Sequence, residues 1–183
     1  KESKAALLEG LIPEQISVGV LQCVLKNLLK EGIPIRNMVV ILESIADNLN
    51  VSTDPDVLTE YVRTALSNTI TNQYKINDQP LKVITLNPSM EDHIAQSLKN
   101  TPDARYNLGL SPQQVTSVFQ QVREKTEQMT AEGNQSVMLV SPVLRRHLRK
   151  FLEPVFEQLT VLSFSELLPT VQLDNVGNIE INE

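Results

Sequence analysis

"VLQCVLKNLLKEGIPIRNMVVILESIAD", residues 20–47, holds two amphipathic helical patterns divided by Gly32-Ile33-Pro34. Before the division, Val18, Leu21, Val24, Leu25, Leu28 and Leu29 recur at helical spacing within residues 15–29. Gly32 is a natural C-terminal stop, and Pro34 suits the first position of a following helix, where its missing N–H leaves no bond unmade. The second pattern carries Ile35, Met38, Val39, Leu42, Ile45 and Ala46 on one face, widened by Val40 and Ile41. Helix, turn, helix is also the arrangement of many DNA readers, whose second helix offers donors to base edges from its first turns. Here that helix offers one arginine, a long apolar run, then Glu43 and Asp47. The stretch reads as a helical hairpin made for packing in protein.

Working outward, Asp54-Pro55 reads as N-cap and first helical residue, and Leu58, Tyr61, Val62, Ala65, Leu66 and Ile70 give a third stripe. Three helices with short links predict an all-helical unit over residues 1–70. The period then changes. "KINDQP" (75–80) is a turn segment, and "LKVITLN" (81–87), "SVMLV" (136–140) and "TVLS" (160–163) are strand candidates, with a final one within 170–181. Asn87-Pro88, Ser111-Pro112 and Ser141-Pro142 open helices over about 88–99, from 112 onward and over 142–153, and "NTPDARYNLGL" (100–110) is a loop. The longest helix should turn Val115, Val118, Phe119, Val122 and Met129 inward. Strands alternating with helices predict a small α/β unit over 71–183. The fold class is therefore mixed, α+β: a helical subdomain, then an α/β subdomain with a short, mostly parallel sheet.

The chemistry-bearing residues are few. The chain has 183 residues, 16 Lys+Arg against 22 Asp+Glu, and a formal charge of -6. A net acidic chain repels phosphate backbones, whose non-specific affinity comes from counterion release by basic groups. Cys23, the one cysteine, falls among apolar residues and reads as a buried core thiol. His93 and His147 lie in separate helices, and the six glycines are scattered, so no metal, cofactor or phosphate-cradling pattern emerges. Ser141 lacks the flanking glycines of a nucleophile elbow and is explained as a cap. No run of apolar residues is long enough to span a bilayer, so no membrane insertion by this segment is expected, and a chain beginning at Lys1 is expected to be a piece of something longer. The one charge cluster is "RRHLRK", where Arg145, Arg146, Arg149 and Lys150 are expected on the face away from Leu144, Leu148, Phe151 and Leu152. That face is either a solvated polar side or a docking patch for an acidic partner. Nucleic acid ranks third, because no aromatic residues are interleaved for base stacking.

"LIPEQISVGVLQCVLKNLLKEGIPIRNMVVILESIAD", "DPDVLTEYVRTALSNTI", "LKVITLNPSMEDHI" and "VMLVSPVLRRHLRKFLEPVFEQLTVLSFSELLP" together resemble the cytoplasmic region of the bacterial export-gate (FHIPEP) family of flagellar and injectisome type III secretion. The resemblance runs in order over residues 10–168, and "TEYVRTALSNTI" and "VITLNP" look more like the flagellar branch than the virulence branch. It implies the third (1–70) and fourth (71–183) cytosolic subdomains of an inner-membrane protein that assembles into a homo-oligomeric ring on the cytoplasmic face. It implies ring contacts from the helical subdomain, here Lys30 and Arg36, and reception of the export ATPase stalk protein around the α/β subdomain. Chaperone–cargo complexes would dock mainly on subdomains outside this chain. The family is not enzymatic, so neither catalytic residues nor a cofactor is expected. Two readings of other classes stand beside it: a winged-helix-like nucleic-acid regulator, and a small hydrolase using Ser141 and His147.

Overall fold

A computed structural model describes residues 16–75, 79–101 and 104–181. The chain divides into two compact units, residues 1–74 with 166–168, and residues 75–165 with 169–183.

The helical unit contains α1 (Val18–Lys30), α2 (Met38–Asn48), α3 (Pro55–Ala65) and α4 (Ser67–Tyr74). The expected start at Gln15 lies outside the described residues; α1 begins after Ser17, whose hydroxyl accepts the Val20 N–H at 3.2 Å. It ends as its glycine requires. Gly32 takes φ +71°, its N–H donates to the Leu29 carbonyl at 3.0 Å, and the Ile33 N–H reaches the Leu28 carbonyl at 2.8 Å. Those are the two bonds of a Schellman turn, and Ile33 is buried as that turn favours.

Pro34 does not open the next helix. Residues 33–37 form an irregular link and α2 begins only at Met38. The reason is packing: α1 and α2 each lie against α3 rather than against one another, so a longer link must join them than a tight hairpin provides. The fully buried residues of α1 are Val24 and Leu28, and Cys23 beside them is exposed rather than a core thiol. Covered on two sides, α3 buries Leu58 and Val62 as expected but also Thr59 and Arg63, while Tyr61 and Ala65 face outward. The third stripe is two helices, broken at Leu66, whose N–H is shared between the Val62 and Arg63 carbonyls.

Arg63 is the most demanding of these residues. Its Nε and Nη2 each lie 2.9 Å from a Glu166 carboxylate oxygen, and its Nη1 lies 3.2 Å from Glu31 Oε2. Arg63 and Glu166 are both 1% exposed. Two residues on, the Leu168 N–H donates to Thr71 Oγ1 at 2.9 Å, which fastens 166–168 to the helices.

The α/β unit runs β1 (Leu81–Leu86), α5 (Pro88–Asn100), α6 (Ala104–Asn107), α7 (Pro112–Ala131), β2 (Val137–Val140), α8 (Pro142–Leu152), β3 (Thr160–Ser163) and β4 (Leu173–Ile179). The sheet is parallel throughout, in the order β3-β2-β1-β4. Ile84, Met138 and Val161, one from each of three neighbouring strands, share a core with Met90 and Ile94 of α5, Val118 and Val122 of α7, and Leu144 and Leu148 of α8. Each fully buried aliphatic side chain there contributes about 1.5–3 kcal/mol. Phe119 closes the space between α7 and α8, tilted against Phe151 at 5.1 Å and edge-on to Phe156 at 5.7 Å. The "NTPDARYNLGL" loop contains the short α6, and β4 carries a bulge at Val176, where the register passes from Val83↔Asn175 to Ile84↔Gly177. Lys82 at the start of β1 lies 2.9 Å from Glu132, and that hydrogen bond, helped by Gln128, holds the Glu132 carboxyl below the usual range. The pair therefore acts above the ordinary carboxylate pKa and is lost as pH falls.

Two glycines give opposite signs. Gly32→Ala costs about 1 kcal/mol, because a Cβ there makes only an ordinary contact, with Gln73 Nε2 at 3.9 Å, but the left-handed backbone penalises it. Gly19→Ala, in regular α1, gains about 0.5 kcal/mol; urea midpoints moving in the same direction contradict this account. Arg63→Met leaves Glu166 buried beside an apolar stem, at a cost of about 3–5 kcal/mol. The first readout is hydrogen exchange at the Leu168 amide, which should lose its protection, and retained protection overturns the fastening role.

Candidate functional site

The basic cluster lies on α8, whose start is built by two strands' ends. Ser141 precedes Pro142 as the N-cap, but its side chain makes no capping bond. Instead Glu91, in the first turn of α5, accepts the Ser141 N–H at 3.1 Å. A carboxylate at a helix N-terminus is favoured by the macrodipole, and it fixes where α8 begins.

From that start, Leu144, Leu148 and Leu152 are buried and Phe151 half-buried, as their spacing demands. The four cations then divide. Arg145 is not on the outward face: it is 2% exposed, and its Nη1 reaches the Val161 carbonyl at 3.4 Å. Arg149 is mostly covered, donates to the Leu159 carbonyl at 3.0 Å, and lies 3.8 Å from Glu153. Arg146 is half-buried and Lys150 exposed, so these two hold the outward side. Helical geometry explains the division. At 100° per residue Arg145 falls within about 20° of Leu152 and 60° of Leu148, inside the apolar sector.

The carbonyls those arginines reach have a common property. In the β2–β3 ladder the Thr160 N–H bonds back to Ser136, and Val137 pairs with Thr160. Along a parallel strand, alternate residues turn their backbone groups to the same side. Leu159 and Val161 thus direct their carbonyls away from β2, toward the sheet's outer edge. Arginines four apart on a helix and carbonyls two apart on a strand are separated by nearly the same distance, about 6–7 Å, so α8 meets that edge in register.

The residues of the other readings are placed as follows. Ser141 and His147 sit six positions apart on α8, about 120° around the helix from one another. His93 is exposed, with Nε2 3.1 Å from the Gly109 carbonyl. Among the described residues no group of three His, Cys, Asp or Glu side chains could hold a metal ion, and no helix is long and apolar enough to cross a membrane. Lys30, the last residue of α1, and Arg36, in the link before α2, are both exposed. The Arg63–Glu166 pair went unread in the sequence. Its one signal is that Thr59, Arg63, Leu66 and Ile70 also make a helical stripe, whose charged member must find a partner.

The division of the cluster has a measurable consequence. Arg145→Ala leaves a buried carbonyl short of a donor and a cavity around it, which costs about 2–4 kcal/mol. Arg146→Ala stays within about 0.5 kcal/mol of the parent, as surface changes do. Equal urea midpoints for the two variants contradict the placement.

The comparisons with known proteins agree along the length of the chain. The FHIPEP family model matches residues 1–172. The flagellar biosynthesis protein FlhA of Bacillus subtilis is 38% identical over 181 residues, 99% of this chain and 27% of that protein. The hypersensitivity response secretion protein HrcV of Ralstonia nicotianae is 35% identical over 157 residues, 85% of this chain and 23% of that protein. The chain thus spans about a quarter of the length of these curated relatives. Among solved structures, nonameric EPEC SctV-C superposes with a TM-score of 0.80 at 26% identity, over 97% of this chain and 53% of that one. The Chlamydia pneumoniae CdsV and CdsO complex gives 0.78 at 30% identity, over 95% of this chain and 50% of the matched one. The mixed fold, the family model and the relatives at these identities converge: the chain belongs to the FHIPEP family of type III secretion export-gate proteins.

Proposed function

We propose that this chain is a non-enzymatic docking and ring-forming module of a flagellar protein export gate, acting on the cytoplasmic face of the inner membrane. The observation that carries the reading is the family match over residues 1–172 joined to the likeness, over nearly all of this chain, to a protein solved as a nonamer. The flagellar branch is favoured by the 38% identity to FlhA of Bacillus subtilis; an injectisome homologue of the same gate is the alternative.

In this reading residues 1–70 and 71–183 are the third and fourth cytosolic subdomains. The helical part contributes contacts between neighbouring copies, with Lys30 and Arg36 among them. The α/β part receives the export ATPase stalk protein, and chaperone–cargo complexes dock mainly outside this chain. A protein of the family solved with a second component, CdsV with CdsO, supports a partner-binding role. Work of this kind needs charge on the outward side of a rigid element rather than a reactive pocket. Arg146 and Lys150 supply it on α8, while Arg145 and Arg149 brace the helix beneath them. Rim charges of that type set association rate and partner choice more than they set the fold.

The test is binding of the purified stalk protein to the immobilised chain, against an Arg146→Glu/Lys150→Glu variant. Each reversed rim charge removes about 0.5–1 kcal/mol, so affinity falls about tenfold with the urea midpoint unchanged. Binding that is equal in both moves the docking site elsewhere. Absence of binding, with monomers at every concentration in sedimentation, overturns the docking and ring-forming reading.

A further inference from the structure

The strand β4 is unevenly held. Its second half is clipped by α7: Ile179 is fully buried, and Gln121 bonds both backbone groups of Glu180. The Lys125 stem lies so close over Gly177 that a Cβ there would meet its Cδ at 2.8 Å. In the first half Leu173, Asp174 and Asn175 are all exposed. Asn175 donates to Thr85 Oγ1, but water competes for a bond so exposed, and it adds little. The bulge at Val176 divides the two halves, and β1 is pinned at its start by Lys82 on Glu132. Before β4 comes a strap, residues 164–172, of which Phe164, Pro169, Thr170 and Gln172 are exposed. It is fastened by Glu166 in the fork of Arg63 and by Leu168 on Thr71, and these fastenings belong to the helical unit.

We propose that the strap and the first half of β4 lift from β1 as one piece, hinged at the bulge, and that the Arg63 and Thr71 fastenings are the latch that holds this piece down. Segments with little buried apolar surface and solvent-exposed hydrogen bonds open far more often than the whole fold unfolds. This piece meets both conditions. The latch acts through chain length. Fastened, β4 is separated from its nearest anchor, Leu168, by residues 169–172; released, it is separated from the end of β3 by residues 164–172. The chance that β4 finds β1 falls as the three-halves power of that length, so release weakens the first-half pairing about threefold. Glu31 makes the latch responsive. It shares Arg63 with Glu166, and its side chain is 15% exposed where both of theirs are 1%. A change of charge at the end of α1 thereby reaches a strand of the α/β unit through the strap.

Hydrogen exchange in the whole chain tests this. The Leu81 N–H donates to the Gln172 carbonyl, at the end that lifts, and the Asn87 N–H to the Ile179 carbonyl, at the end that does not. Thr71→Val removes the acceptor of the Leu168 N–H with little change of shape. Exchange at Leu168 and Leu81 is expected to quicken together, at Leu81 by up to about threefold. Its dependence on urea should be weak, since the opening exposes little surface. Asn87, and Thr160 in the β2–β3 ladder, keep their rates. Glu31→Gln, which leaves Thr71 in place, should quicken the same two amides by less. Quickening at Leu168 without Leu81 in both variants overturns the proposal, because the strap then moves without β4. Equal quickening at all four amides overturns it too, as a loss of overall stability, and quickening at Asn87 equal to that at Leu81 puts the hinge elsewhere and sinks it. No change at Leu168 in either variant overturns the latch itself.

Discussion

A guanidinium out of water is tolerable only if carboxylates meet it at fixed geometry, and Arg63 imposes that condition on three distant parts of the chain. Its fork is met edge-on by Glu166, 103 positions away, while Glu31 approaches its remaining nitrogen from the end of α1. Apolar packing is tolerant of small displacements, whereas a bidentate pair with both members buried is not. The pair therefore fixes how the end of α1 lies along α3, and it fixes where residues 166–168 must return. The Leu168 bond to Thr71 and the Gln73 side chain on the Gly32 carbonyl continue the same fastening on either side. Helix propensity alone offers no reason for so polar a sequence as "SNTITNQY" to hold α4; these tertiary ties supply one.

The same residue type does different work on α8. Arg145 and Arg149 turn inward to backbone carbonyls on an edge strand, and Arg146 and Lys150 turn outward. A run of like charges is therefore not one surface. On an amphipathic helix whose apolar sector spans roughly 100° or more, neighbouring cations stand on opposite sides of the boundary. An arginine near it extends its stem over apolar neighbours and carries its donors to whatever acceptors lie there. Reversing Arg145 removes a brace, and loss of binding in such a variant reports on folding.

What the sequence made legible follows the range of the interactions. Asp54, Asn87 and Ser111 each accept a backbone N–H in the first turn of the helix they open, a bond spanning two or three residues, and the strand runs in 81–86 and 160–163 are local in the same sense. The failures are all tertiary. Ser141 opens its helix but leaves the capping to Glu91, fifty positions earlier. Pro34 looked like a helix start, yet α2 waits for Asn37, because its packing partner is α3 and not α1. Cys23 and Arg145 were assigned to the wrong sides because a stripe's width depends on how many neighbours cover the helix, which spacing does not reveal. Of the proposed docking residues, Lys150 and Lys30 were read correctly as exposed, since a lysine outside the apolar sector needs no partner to be placed.

Sheet edges are the usual route by which a small α/β unit associates wrongly, and both edges here are defended. At β3 the two arginines engage carbonyls that would otherwise receive another strand. At β4 the Gln121 amide binds both the N–H and the carbonyl of Glu180, as a neighbouring strand would. The rest of β4 is interrupted by the bulge at Val176 and by Asp174, Asn175, Gly177 and Asn178, a composition unsuited to pairing. With strand addition blocked at one edge and discouraged at the other, the α/β unit offers a partner its side chains rather than its backbone. On α8 the exposed Val143 stands beside Lys150, about 20° around the helix. Side-chain contacts specify a partner and an orientation, whereas a free strand edge accepts any extended chain.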